Sequence, residues 1–271
     1  MNLAVKEYHP VHELSPFIET LWIGTFNVSA DPHFSQKVVP NGCIELILHF
    51  SDDHCLLNKS GEHYSKSPPY LLLGVYSKPY IVKFPARVHA LGIRFFPDGF
   101  RNIFGIPPGA FFSTYEDGND VVGKKLEEFF YKIQEAQTAE QKIQLANRFF
   151  LQQLTTHQNR HDRTHLAMKL IRSRNGLLDF NLLTDHIPIS LRQLQREFKN
   201  TYGITITDYM RISRLNAIHK YMLTHSASLT ELAHQLEFTD QSHFIREFKH
   251  YMGLAPKKFI KDKTQFIVNA V

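Results

Sequence analysis

An internal repeat limits the fold of this chain more than any other feature. Leu194-Gln-Arg-Glu-Phe-Lys-Asn-Thr-Tyr-Gly203 returns 50 residues later as Phe244-Ile-Arg-Glu-Phe-Lys-His-Tyr-Met-Gly253. Arg196/Arg246, Glu197/Glu247, Phe198/Phe248, Lys199/Lys249 and Gly203/Gly253 coincide without a gap, and upstream Leu182-Leu183 corresponds to Leu232-Ala233. Each copy reads as a short helix, a turn, and a longer helix closed by Gly, which tolerates the left-handed conformation a helix stop needs. That is helix-turn-helix geometry, in which the second helix enters the major groove of DNA. The apolar pairs Leu194/Phe198 and Phe244/Phe248 lie one helical turn apart and should pack inward, which turns Arg196 and Arg246 to the outer side. Asp240 is a plausible N-cap for the second of these helices.

Between the copies, Thr207–Leu223 contains no Gly or Pro and spaces Met210, Leu215, Ile218 and Met222 at helical intervals. It should form one rod of roughly 25 Å, able to hold two recognition helices about one DNA turn apart.

Charge follows the same division. Residues 1–160 carry 15 Lys and Arg against 16 Asp and Glu, whereas residues 161–271 carry 16 against 10. A basic block beside a neutral one fits a polyanion-binding module attached to something else, although a merely solvated basic face would look the same.

The first ~95 residues read as strands punctuated by Gly and Pro: Thr20–Val28, Cys43–Phe50, Tyr70–Tyr76, Tyr80–Phe84 and Val88–Phe95, with a turn at Pro40-Asn-Gly42. They predict a β-rich barrel or sandwich. Val121–Glu135 then has helical spacing, and Thr138-Ala-Glu-Gln141 is a capping box opening another helix, with Ser228-Leu-Thr-Glu231 a further one downstream. Asn175-Gly176 should stop a helix. The expected fold class is α+β in two domains. Residues 1–118 form a β-rich sensor or dimerisation domain, 119–160 linking helices, and 161–271 an all-α domain with two helix-turn-helix motifs. A fragment from about residue 160 onward should fold alone, with Leu166, Leu170, Leu182, Leu194, Phe198, Leu215, Leu232, Phe244 and Phe248 in its core.

The segment Glu231–Phe259, with Ala233, then Ser242-His-Phe-Ile-Arg-Glu-Phe-Lys249 and Gly253-Leu-Ala-Pro256, resembles the DNA-binding half of the AraC/XylS family of bacterial transcription regulators. The resemblance spans about residues 165–262. It implies that the two copies bind adjacent major-groove segments of promoter DNA. Carried onto this chain, it places Arg192, Gln195 and Arg196 in the first helix and Gln241, Ser242, His243 and Arg246 in the second as base readers. Such side chains suit base edges, Arg for guanine and Gln for adenine. Lys199, Lys249, Lys257 and Lys258 are the expected phosphate contacts. Three positions depart from the family pattern: Glu237 and Ile187 stand where a turn Gly is usual, and Ile206 where a Pro is. Val38–Ile47 and Gly92–Gly99 resemble, less specifically, the sensor half of a subset of these regulators, which implies a cupin-like effector or dimerisation domain. RNA polymerase, a small-molecule effector and a second copy of the chain are the partners this resemblance admits.

Other chemistry finds less support. There are 16 His, of which His9, His12, His33, His49, His54, His63 and His89 scatter through the N-terminal part without the clustered spacing of a metal site. No catalytic motif, cofactor loop or metal-ligand set is read, so the expected mechanism is non-enzymatic. The alternative reading is an enzyme with a β-barrel catalytic domain and a DNA-binding tail. A polar preorganised cluster in the barrel with a bound metal would favour it, and an apolar or collapsed barrel would favour the regulator. Cys43 and Cys55 are the only cysteines, Cys43 expected buried, and a redox pair is not favoured. Glu45 and Arg94 are the candidate effector-pocket residues. Glu45 is read as facing outward, and Arg94 as pairing with Glu45 in preference to holding an anion. No apolar run is long enough for a membrane span and no basic-then-apolar leader opens the chain, so a reducing cytoplasm is the expected setting.

Overall fold

The computed structural model describes residues 2–27, 34–51, 53–58, 63–156, 162–224, 231, 240–261 and 266–267. Among the described residues eleven strands form two sheets: β1 (Asn2–Tyr8), β2 (Ile18–Asn27), β3 (Ser35–Val38), β4 (Ile44–His49), β5 (Leu56–Asn58), β6 (Ser65–Lys66), β7 (Tyr70–Leu73), β8 (Tyr80–Lys83), β9 (Arg87–Phe95), β10 (Tyr115–Asp117) and β11 (Phe266–Ile267). The larger sheet has the order β1-β2-β9-β4-β7-β10 and the smaller β11-β3-β8-β5-β6. Among the described residues the sheets do not close into a barrel, so of the two expected architectures the sandwich is the one observed.

The central strands of the larger sheet are buried on both faces, which explains their nearly unbroken apolar sequences. On β4, Ile44, Leu46 and Leu48 belong to a core shared with the helices, while Glu45, Ile47 and His49 turn toward the second sheet. On β9, Leu91, Ile93 and Phe95 face the helices, and Val88, Ala90 and Arg94 face the second sheet. The register sets Glu45 opposite Arg94 and His49 opposite Ala90.

Helices cover the first face: α1 (Pro97–Phe104), α2 (Gly118–Val122), α3 (Lys124–Glu135) and α4 (Ala139–Thr156). The single helix expected over 121–135 is broken at Gly123, which sits at φ +91° between α2 and α3. The capping box forms: Gln141 N–H donates to Thr138 Oγ1 at 3.2 Å, and Thr138 N–H to Gln141 Oε1 at 3.1 Å. Phe129 stacks on Phe149 at 4.1 Å between ring centres, joining α3 to α4.

Further helices among the described residues are α5 (Arg163–Ser173), α6 (Phe180–His186), α7 (Leu191–Tyr202), α8 (Ile206–Thr224), α9 (Gln241–Met252) and α10 (Pro256–Lys261). Asn175 and Gly176, at φ +50° and +74°, end α5 as the sequence indicates. The core of the larger sheet continues without interruption into these helices, through Met168, Ile171, Leu194, Phe198, Leu215, Phe244 and Phe248. Leu166 corrects the expected core: it is 41% exposed, because the buried stripe of α5 runs through Ala167, Met168 and Ile171. Leu170 and Leu182 are half-buried. Leu232, Glu237 and the Ser228 capping box lie outside the described residues. At the first turn, Ile187 follows α6 in an extended conformation (φ −125°, ψ 106°) and is fully buried, so the missing Gly costs no left-handed strain.

Candidate nucleic-acid interface and effector cavity

The two repeat helices are built alike from their ends inward. Ser190 caps α7, its Oγ accepting from Gln193 N–H at 3.3 Å, and Asp240 caps α9, its carboxylate accepting from His243 N–H at 2.7 Å. Each helix stops at a left-handed glycine, Gly203 at φ +75° and Gly253 at φ +73°, whose N–H returns to the carbonyl of Lys199 or Lys249. Leu194 with Phe198 and Phe244 with Phe248 are fully buried. The opposite faces carry the expected readers. Arg192, Gln195, Arg196 and Lys199 are exposed on one side of α7 at spacings of three and four residues. On α9, Gln241, Ser242, Arg246 and Lys249 are exposed and His243 is half-buried, while Lys257 and Lys258 are exposed on α10.

Helix α8 supports both. At 19 residues it is about 28 Å long. On the α9 side, Arg211 Nε lies 3.5 Å from Glu247, and Tyr251 Oη donates to Asp208 at 3.4 Å. On the α7 side, Tyr209 packs against Phe198 with the rings tilted by 55°.

A cavity of about 90 Å³ lies between the two sheets, lined mainly by apolar and aromatic side chains that include Trp22, Phe26, Tyr80 and Phe84. Glu45 faces this cavity, not solvent, because neither face of the larger sheet at β4 is open to water. Its Oε1 accepts from Trp22 Nε1 at 2.8 Å and from Arg94 Nη2 at 3.2 Å. Trp22 can lie there because residue 92 is Gly, where a Cβ would fall inside the indole ring. The Arg94 side chain, 6% exposed, also has Glu7 at 3.5 Å and Glu19 at 3.8 Å. These carboxylates outweigh the burial penalty and raise the guanidinium pKa above its ordinary value. The expected Glu45–Arg94 pair therefore exists as part of a larger cluster. His49 lines the cavity farther along β4, and burial together with neighbouring His54 lowers its pKa to about 4. Cys43 and Cys55 are buried free thiols, and burial pushes Cys55 up to about 12, which leaves it unreactive. Among the described residues no group of three His, Cys, Asp or Glu could hold a metal ion, and no helix is long and apolar enough to cross a membrane.

Residues 183–262 match a family described as a helix-turn-helix domain, and residues 6–117 one described as a domain of unknown function. The HTH-type transcriptional activator RhaS of Escherichia coli K12 is 29% identical over 91 residues, which are 33% of this chain and 32% of RhaS. The C-terminal part is a helix-turn-helix domain of the AraC type. The chain matches about a third of the length of these curated relatives. In overall fold it is similar to ToxT from Vibrio cholerae, with a TM-score of 0.51 at 11% identity over 91% of this chain and 98% of ToxT. A ToxT structure bound to an unsaturated fatty acid gives the same TM-score at 10% identity over 89% and 94%.

Among the described residues, contacts between the AraC-type domain and the N-terminal part include the following. Asp98 of α1, fully buried, lies 3.1 Å from Arg172 Nη1 and 3.0 Å from His165 Nδ1 of α5, and Arg101 Nη1 lies 2.7 Å from Asp162. The turn at Gly42 packs on Tyr209 and Ile212 of α8, and Asn216 of α8 donates to the Asn41 carbonyl. The C-terminal ends of α7 and α9 abut the N-terminal part: Gly203 lies against Phe112 and Gly109, and Gly253 beside Lys37 and Pro79. The exposed readers lie toward the other ends of both helices. Sequence reasoning missed Trp22, His49, Asn41, Asn216 and the Asp98 cluster. For His49 the signal was present, since residues 45, 47 and 49 of one strand share a face.

Proposed function

We propose that this chain is a sequence-specific DNA-binding transcription regulator whose α7 and α9 read adjacent major-groove segments, and whose inter-sheet cavity receives a small-molecule effector. The observation that carries the reading is the paired presentation of exposed Arg and Gln side chains over the buried pairs Leu194/Phe198 and Phe244/Phe248, on two capped helices joined to one rod. Arg192, Gln195, Arg196, Gln241, Ser242, His243 and Arg246 are assigned to base edges, and Lys199, Lys249, Lys257 and Lys258 to phosphates. Glu45 and Arg94 are assigned to the effector pocket. Residues 161–271 serve as the DNA-binding unit and 1–118 as the sensor, in a cytoplasmic setting. RNA polymerase and a second copy of the chain are the partners this reading adds.

The mechanism is a shift of population and needs no chemistry. Val38, Val39 and Asn41 line the cavity, and the same loop then meets α8 at Gly42 and Asn41. A ligand that favours one arrangement of this loop biases the rod that carries both reading helices. The mainly apolar lining supports this regulator reading over a catalytic barrel.

Selection of bound sequences by the full chain from a random DNA pool at fixed salt tests the proposal. The expected product is a motif with two adjacent segments. A chain that shows no preference over random DNA would overturn it.

A further inference from the structure

We propose that the inter-sheet cavity takes a small organic cation, a compact alkylammonium whose N–H groups are accepted at Glu45. This rests on the reading of the cavity as the effector site and adds the chemistry of its ligand.

Charge decides against an anion. Arg94 is the cationic side chain among the described residues lining the cavity, and it is already shared by Glu7, Glu19 and Glu45. An entering carboxylate or phosphate would have to displace one of these from the guanidinium and would meet the remaining negative charge. A cation meets the opposite situation. Both contacts of Glu45 fall on Oε1, which leaves the acceptor capacity of Oε2.

The walls suit the same ligand. Trp22, Phe26, Tyr80 and Phe84 give the cavity aromatic surfaces, and aromatic faces attract ammonium groups through the ring quadrupole. The combination of rings and a carboxylate is the chemistry of an ammonium cage.

His49 is an independent pointer to a ligand. It is 5% exposed, it lines the cavity, and among the described residues neither ring nitrogen has a hydrogen-bond partner. A buried polar group without a partner is costly, so an unpartnered imidazole in the wall marks this cavity as a place for a ligand. As a neutral imidazole it does not oppose a positive charge held at Glu45. Size sets the last limit. An apolar cavity of roughly 150 Å³ holds benzene, so about 90 Å³ suits a smaller body such as a tert-butyl group.

The sole tryptophan, Trp22, lines the cavity and reports its occupancy by fluorescence. The full chain is titrated at constant ionic strength with tert-butylammonium, tert-butanol and trimethylacetate, which share one apolar body and differ in charge. The expected result is binding of tert-butylammonium about tenfold tighter than either of the others. Glu45→Gln should remove this preference, and Ala90→Leu, which fills space without touching the charges, should weaken all three probes. Circular dichroism melting confirms that each variant is folded. Tighter binding of tert-butanol or trimethylacetate overturns the cation assignment, as does the absence of any fluorescence response to tert-butylammonium. If tert-butylammonium binds but leaves affinity for the selected DNA site unchanged, the ligand assignment stands and the effector reading fails.

Discussion

Asn216, on the helix that carries both reading units, donates a hydrogen bond to the backbone carbonyl of Asn41, a residue in the wall of the inter-sheet cavity. One side-chain amide thus joins the helix-turn-helix domain to the wall of the cavity. The neighbouring Gly42 holds φ +72°, and a Cβ there would lie 3.2 Å from Ile212 Cγ2. Gly42→Ala should therefore cost roughly 1–2 kcal/mol, read as a lower urea midpoint at unchanged slope. It should also change DNA affinity, through the displaced α8 contact. A variant with parental midpoint and DNA affinity would show that this turn transmits nothing.

Arg246→Ala should weaken binding to the selected site by roughly 1–3 kcal/mol and relax preference at one base pair. The measurement is competition binding against single-base variants of the site. An unchanged motif would remove Arg246 from the readers.

Lys249 and Lys257 are exposed and assigned to phosphates. The double variant Lys249→Ala, Lys257→Ala should weaken binding evenly across sequences and lower the salt slope by roughly one unit per contact. Equal slopes for variant and parent would make these lysines solvated surface.

The Asp98–Arg172 pair should be a clamp between α1 and α5. Asp98 is fully buried, so Arg172→Met leaves its carboxylate without the facing guanidinium and should destabilise the chain by roughly 3–5 kcal/mol. Urea denaturation of the full chain measures it. A second substitution, Asp98→Leu in the Arg172→Met background, should recover part of the loss.

His49 gives a pH dependence with a definite sign. Its folded pKa is lowered to about 4 from 6.5, so between these values the unfolded chain binds the extra proton. Its contribution is complete above pH 6.5 and is lost as pH falls toward 4, a difference on the order of 3 kcal/mol. His49→Leu should flatten the stability profile over this window. A profile as steep as the parent's would place the titration elsewhere.

The helical half was legible because its signals are local: apolar pairs one turn apart, capping side chains and closing glycines are set by neighbours in the sequence. Strands β2, β4, β7, β8 and β9 were legible for the same reason, being apolar runs between turns. Strands β3, β5, β6 and β10 are short and partly polar, and only pairing partners distant in sequence define them. Glu45 was misread because alternation along a strand implies an outside only when one face meets water, and here neither does. The charges at Asp98, Arg101, Asp162 and Arg172 carry no local pattern. Their meaning depends on α1 and α5 meeting, more than sixty residues apart in the chain.

Strand β11 pairs in parallel with β3, Phe266 opposite Lys37 and Ile267 opposite Val38. The smaller sheet is thus finished by a segment that a ribosome makes only after both DNA-reading units. Until then β3 presents an open edge, with unpaired N–H and C=O groups that invite pairing with another chain. A nascent molecule therefore carries its N-terminal sheets in this unfinished form throughout the synthesis of its helix-turn-helix domain. Truncation just before Phe266 should give a protein whose tendency to self-associate begins at the sheet, far from the missing residues in sequence.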